Sequence, residues 1–202
     1  QEVAEILQQN FPKEIDTQKI HSIYFYGAGC KAPESRKVIF EGISKTFTNA
    51  KIEIDSDLTG AAIALWGNNQ GLVAILGTGM SIAYWNGKEL QHMQQSLGYI
   101  LGDQGSGAHL GKQMIQAIFE ESVSPTIIQN FNETYHLQLH EILENIYKKP
   151  EANQYLASFV PFMHTWKNEE SIATILEYSF SEFAIKHAQI VAQKSNTNTI
   201  SF

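Results

Sequence analysis

A chain of 202 residues, 43% hydrophobic and 17% charged, is long enough to bury a sizeable core in one or two domains. Its net charge of −7, with no basic stripe and no interleaved basic and aromatic residues, excludes a nucleic-acid or anionic-membrane surface, so a negative substrate needs local donors. No apolar run reaches the roughly 20 residues of a membrane span, the amphipathic start lacks the parts of a signal peptide, and the single cysteine, Cys30, excludes an internal disulfide framework and any CxxC site; cytoplasm is the default expectation.

In chain order, Val3, Ile6 and Leu7 stand at helical spacing, which predicts a helix over residues 2 to 9, ended by Phe11-Pro12. Ile23 to Tyr26 is a β-branched and aromatic run that stops at Gly27-Ala28-Gly29, the pattern of a buried parallel strand. A helix follows with Pro33 near its start and Val38, Ile39, Ile43 and Phe47 as its buried stripe. Lys51 to Asp55 is the next strand, and Leu58 to Trp66 turn helical just past Asp57. Strand, helix, strand, helix is a parallel α/β half.

The pattern then changes. Leu72 to Leu76 enters the tight turn Gly77-Thr78-Gly79 and Ile82 to Trp85 leaves it, so the turn is expected at a hairpin tip, with outward amides that suit an anion. Asn86-Gly87 is a strong hairpin signal and joins Trp85 to a third strand over Glu89 to His92. A second glycine loop, Gly98 to Gly107, carries Asp103 and runs into a helix from Ala108 to Phe119. From about Thr134 to Gln193 the sequence predicts three or four further helices and no strand. The chain has no initiating Met, and Thr199-Ile200-Ser201-Phe202 reads as a strand just opening; the expectation is a piece of a longer protein.

A GTG turn at a hairpin tip followed by Gly98-Tyr99-Ile100-Leu101-Gly102-Asp103-Gln104-Gly105-Ser106-Gly107 before a helix resembles the N-acetylglucosamine kinase and BadF/BadG/BcrA/BcrD-type ATPase family, of the sugar kinase, Hsp70 and actin superfold. The resemblance covers nearly the whole chain. It implies a ribonuclease H-like α/β fold: residues 1–66 as the later part of the first domain, 67–120 as the meander and first helix of the second, and 121–202 as a helical insertion. It also implies a phosphate-binding hairpin of the DxGxTxT type before residue 1 and an adenosine-binding glycine turn after Phe202.

By the same resemblance the protein is a kinase that uses ATP and Mg²⁺ to phosphorylate an amino sugar, N-acetylglucosamine first, in a cleft that closes between two domains; a homodimer is left open. Asp57, at the carboxyl edge of the parallel strands, corresponds to the aspartate that takes the proton of the sugar hydroxyl, the role phosphoryl transfer to an alcohol requires. Locally, a helix cap explains Asp57 equally well. Gly77, Thr78 and Gly79 correspond to the ATP-binding turn, the plain alternative being a hydroxyl that closes its own turn. Met80, Ser81, Ser96, Leu97, Gly98 and Asp103, with Asp57, correspond to the sugar side. Relatives usually read GTGSN where this chain has Gly77-Thr78-Gly79-Met80-Ser81, and GDEG where it has Gly102-Asp103-Gln104-Gly105. Those departures put the sugar's identity in question.

Other readings compete. A BadF/BadG-type ATPase that drives an iron–sulfur cluster needs at least two cysteines per chain in a shared site, and there is one. A non-catalytic sugar sensor of the same fold is a third. Gly27-Ala28-Gly29-Cys30-Lys31-Ala32, with Glu53 and Asp55 after it, also fits a dinucleotide fingerprint, although it leaves both later glycine loops unexplained. His136 and His140, four apart on an expected helix, have a zinc-compatible spacing without a third ligand, and a solvated face explains them better.

Overall fold

The computed structural model describes residues 5, 6 and 9–202. Most of the helix expected over residues 2 to 9 lies outside them. The chain divides into two compact units, Gln1–Asn69 with Gly87–Leu90, and Gln70–Asn86 with Gln91–Phe202.

In the first unit β1 (Ser22–Gly27) pairs in parallel with β2 (Lys51–Ser56), from Ser22 opposite Lys51 to Gly27 opposite Ser56. Between them runs α1 (Pro33–Thr46), with Pro33 in its first turn, where a missing N–H costs nothing. Ile43 and Phe47 of the expected stripe are buried, and Phe47 meets the ring of Phe11 edge-on at 5.0 Å. Val38 is 60% exposed and leaves the stripe. The buried parallel strand is also half correct: β1 is parallel, but Tyr24 is 60% exposed. A sheet of only two strands is too narrow for the flanking helices to cover both faces. The second helix, α2 (Asp57–Trp66), starts directly after β2 and lies against Tyr26, with Gly60 at the contact, where a Cβ would fall 2.7 Å from that side chain.

In the second unit β3 (Gly71–Leu76) and β4 (Met80–Trp85) form an antiparallel hairpin whose last pair, Leu76 and Met80, leaves residues 77–79 as the tip. The sheet order is β5-β4-β3-β6, where β5 is only Leu90–Gln91 and β6 (Ile200–Ser201) pairs in parallel with β3. Leu72, Ala74, Met80 and Ile82 share one buried cluster with Phe183 and Val191. Leu72, Val73 and Ala74 in β3 and Ile82 and Ala83 in β4 are buried in succession, so both faces of the hairpin's middle are covered, while Met80 is buried and Ser81 half-exposed.

The helices are α3 (Gly98–Leu101), α4 (Gly107–Phe119), α5 (Pro125–Tyr135), α6 (Leu139–Tyr147), α7 (Ala152–Ala157), α8 (Val160–Thr165), α9 (Glu170–Phe183) and α10 (Gln189–Ser195). A wide π turn, Ala184–Ala188, joins the last two. Met114, Ile118, Ile127, Phe131, Phe159 and Met163 build the helical core, with Phe131 packed on Phe159 and Phe162. Helix α5 has no counterpart in the sequence reading. Thr126-Ile127-Ile128 and two asparagines make it a poor intrinsic helix, and burial of Ile127 and Phe131 overrides that. The stretch from 134 to 193 also holds more and shorter helices than expected, because Pro150, Pro161 and left-handed Glu151 cut it up. Helices α4 and α7 touch backbone to backbone: a Cβ on Gly111 would fall 1.8 Å from the carbonyl oxygen of Leu156.

Candidate functional site

Two glycine loops, distant in sequence, are locked together in the second unit. The amide of Gly107 donates to the carbonyl of Gly77 at 2.7 Å, and that of Ala108 to the carbonyl of Thr78 at 3.0 Å. The first amides of α4, which a helix leaves unsatisfied, are thus spent on the hairpin tip. Ser106, fully buried, caps the helix by accepting from the amide of His109 at 3.2 Å. Within the tip, the amide of Gly77 donates to the carbonyl of Gly79 at 3.0 Å. The amide and hydroxyl of Thr78 and the amide of Gly79 take no part in these bonds and remain available as donors.

The two glycines of the tip are there for different reasons. A Cβ on Gly79 would stand 3.0 Å from a carboxylate oxygen of Asp103, so that position belongs to the acid. A Cβ on Gly77 would meet nothing nearer than Ile75 at 4.0 Å, and its φ is not in the left-handed region. Neither packing nor backbone requires glycine at 77, and the open space beside the tip is room in which a ligand's phosphate can reach the main chain.

Asp103 sits beneath the tip, 8% exposed and with left-handed backbone, φ 56°. One of its oxygens accepts from the amide of Met80; the other, Oδ1, is buried without a hydrogen-bond partner. Burial pushes the carboxyl above its ordinary pKa, and the Met80 amide opposes that. A buried carboxylate short of one donor is a strong acceptor for any hydroxyl that reaches it.

The other expected residues fall as follows. Met80 turns its side chain into the sheet core and offers only its amide. Ser81 is half-exposed on β4, opposite Ile75. Ser96, Leu97 and Gly98 lead into α3, the Ser96 hydroxyl accepting from the amide of Gly98 at 3.4 Å, and Leu97 packs over Gly102. Asp57 lies in the first unit, at the first position of α2. The cap there is Ser56, whose hydroxyl accepts from the amide of Thr59, so capping does not account for Asp57; its carboxylate accepts from the amide of Leu58 at 2.8 Å. Asp55 is held by Arg36 at 2.8 Å, and Arg36 also donates to the carbonyl of Cys30. The acid that the dinucleotide reading requires is therefore already paired, and Cys30 is a buried loop thiol. His136 and His140 do not share a helix: His136 is the left-handed cap that ends α5, and His140 belongs to α6. Among the described residues no three His, Cys, Asp or Glu side chains gather where they could hold a metal, and no helix is long and apolar enough to cross a membrane.

An apolar cavity of about 470 Å³ opens between α4 and α6, lined by Ile115, Phe119, Leu143 and Tyr147. Neither the tip nor Asp103 lines it. Residues that the sequence reading missed hold the Asp103 loop in place: Gln94, His109, Ser179 and His187. They lie up to 93 positions from their partners and carry no local motif.

No protein-family model and no curated protein sequence matched the chain. Among solved structures, it resembles a "putative N-acetylglucosamine kinase" of Porphyromonas gingivalis, with TM-score 0.82 and 28% identity over 98% of this chain and 78% of that one. A "putative N-acetylglucosamine kinase" of Chromobacterium violaceum shares the fold at TM-score 0.56 and 18% identity, over 91% of this chain and 65% of its own length. The architecture is α/β with mixed sheets, like those sugar kinase structures.

Proposed function

We propose, from this likeness to N-acetylglucosamine kinases, that the protein transfers a phosphoryl group from ATP to an amino sugar, N-acetylglucosamine first. The observation that carries the reading is the tip of the β3–β4 hairpin: open donors at Thr78 (amide and hydroxyl) and Gly79 (amide), fastened to the start of α4 and set above a buried acid. Three donors and an unfilled space suit a nucleotide's phosphates. They do not suit a metal, which needs oxygen ligands; Mg²⁺ would be held by phosphate oxygens and water and would neutralise their charge.

In this reading Asp57 takes the proton as the sugar oxygen forms its bond to the γ-phosphorus and ADP leaves. Ser56 caps α2, and Asp57 uses one carboxylate oxygen, Oδ1, on the amide of Leu58, so its other oxygen is the one for that task. Asp103 holds sugar hydroxyls, with its bare Oδ1 as the acceptor that a hydroxyl completes. Because Oδ1 is enclosed in the free protein, the sugar reaches it through a rotation of the Asp103 side chain. Ser81, Ser96, Leu97 and Gly98, with the main chain at Met80, shape the sugar side.

ADP release by the full-length protein, followed across a panel of amino sugars and hexoses with ATP and Mg²⁺, tests this. Turnover that depends on an amino sugar is the expected result. Sugar-independent hydrolysis would favour the ATPase reading, and sugar binding without turnover a sensor.

A further inference from the structure

Between left-handed Asp103 and left-handed Gly105, at φ 56° and 82°, Gln104 sends its side chain to a histidine 83 positions away. Oε1 of its amide lies 2.7 Å from Nε2 of His187, and Nδ1 of the same ring lies 2.9 Å from Oε1 of Gln94. Gln94 is oriented by its other end, which donates to the carbonyl of Lys186 at 3.0 Å. Its oxygen therefore faces the ring, and Nδ1 of His187 carries a proton. His187 stands in the wide turn between α9 and α10, 8% exposed. Burial, the largest influence, and then the Lys186 charge lower its pKa, while Glu182 acts in the other direction. With its pKa lowered the ring is neutral at pH 7 and Nε2 is an acceptor, so the Gln104 amide is assigned the flipped orientation, in which its NH₂ takes the place of Oε1 and donates to that nitrogen.

The next residue is tied to the same rod of helix. The amide of Gly105 points at Nδ1 of His109 at 3.5 Å, and the hydroxyl of Ser179 on α9 lies 2.7 Å from that nitrogen. Both act as donors there, so Nδ1 of His109 is bare and its Nε2 is protonated.

These tethers oppose a definite force. Asp103 is buried with an unsatisfied oxygen in a backbone region that non-glycine residues rarely occupy, so relaxation of the loop toward water is favourable. We propose that His187 is a positioning residue for Asp103: by holding the Gln104 side chain at Nε2, it keeps the loop left-handed and the carboxylate seated beneath the hairpin tip. The proposal rests on the reading of Asp103 as the acid that holds sugar hydroxyls. His187 itself touches no substrate.

The test uses the full-length protein with His187→Ala and Gln104→Met, which cut the tether from either end, and Gln104→Glu, which restores it as an ion pair with a protonated ring. Both cuts are expected to raise the sugar KM about tenfold while kcat and the KM for ATP stay within about threefold. Gln104→Glu is expected to keep a near-normal sugar KM at acid pH and lose it as His187 deprotonates, with Lys186 and Glu182 the charged neighbours that set that pKa. Unchanged sugar KM in both cut variants would overturn the proposal. Two readouts need no turnover: ¹⁵N NMR of the His187 ring, expected as the neutral Nδ1–H tautomer at pH 7, and hydrogen exchange of the Gln104 and Gly105 amides, expected to quicken in His187→Ala. If the wild type phosphorylates no sugar, the functional reading fails while faster exchange still supports the tether. An imidazolium at pH 7 or unchanged exchange overturns it.

Discussion

Gly107 donates its amide to the carbonyl of Gly77 at 2.7 Å, so the first turn of a helix and the tip of a hairpin some thirty residues earlier are one object. The donors left over at Thr78 and Gly79 are presented by a support with little freedom to rearrange. Preorganised main-chain donors of this kind serve a phosphate better than mobile side chains, because they need no reordering when the ligand arrives.

The asymmetry between the two glycines of the tip gives the first prediction. Gly77→Ala puts a methyl into open space, so the melting temperature should barely move while the KM for ATP rises. Gly79→Ala presses on the Asp103 carboxylate at 3.0 Å and should destabilise by about 1–3 kcal/mol. Thermal melts and nucleotide titrations of the two variants give the contrast; equal effects on ATP would remove Gly77 from the phosphate site.

Asp103→Asn is expected to make the free protein more stable and the sugar site worse. The amide oxygen can still accept from the Met80 amide, and the cost of an ionised, half-satisfied carboxylate disappears, a gain of about 1 kcal/mol. The sign with pH follows from a carboxyl raised by burial. Below the ordinary aspartate value the group is protonated both folded and unfolded, and the variant gains nothing. As pH rises from the ordinary value toward the raised one, the unfolded chain ionises before the folded one and wild type loses stability that the variant keeps; above the raised value the difference is constant. Melts of both proteins between pH 4 and 8 should diverge as pH rises; parallel curves would mean that Asp103 is not ionised at a cost.

Asp57 and Ser56, adjacent in sequence, should separate function from stability. Ser56→Ala removes the α2 cap and should cost about 1 kcal/mol. Asp57→Asn should leave the melting temperature nearly unchanged and lower the phosphoryl-transfer rate about 10²- to 10⁴-fold, with sugar affinity within about tenfold. Near-normal kcat in Asp57→Asn would end its assignment as the base.

Ser106→Ala tests the junction from the helix side. The hydroxyl is fully buried and caps α4, so its loss should cost about 1–2 kcal/mol. It should also raise the KM for ATP, because the amides of Gly107 and Ala108 that grip the tip lose their neighbour. Destabilisation with unaltered nucleotide affinity would show that the grip does not depend on the cap.

Much of this was legible from short-range patterns. The period of the apolar residues announced β1, α1, β2 and α2, and Gly77-Thr78-Gly79 between two β-branched runs announced the tip and its donors. What the chain settles by long-range packing was not legible. Val38 matched the helical period, yet the narrow sheet leaves it in solvent. Helix α5 is an unpromising sequence rescued by Phe131 and its aromatic neighbours, and its cap and first residue, Ser124-Pro125, were not read as a helix start. His136 and His140 had a helical spacing that a left-handed cap breaks between them. Gln104 read as a lost charge, whereas the structure gives it a partner 83 positions on.

The contact between α4 and α7 has a mechanical consequence. Gly107 and Gly111, one turn apart, both face α7, where a Cβ would overlap Ala157 in one case and the Leu156 carbonyl in the other. At these two positions the backbone of α4 meets α7 with only the Ala157 methyl between, which leaves little cushion to absorb sliding, so α4 and α7 are expected to move as one rigid lever. The short arm of that lever is the start of α4, clamped to the hairpin tip; the long arm is the helical mass built around Phe131 and Phe159. A shift of a fraction of an ångström at the tip would swing the far helices through a larger arc, which makes the outer surface of α5 and α6 the place to attach a spectroscopic label that reports events at Thr78.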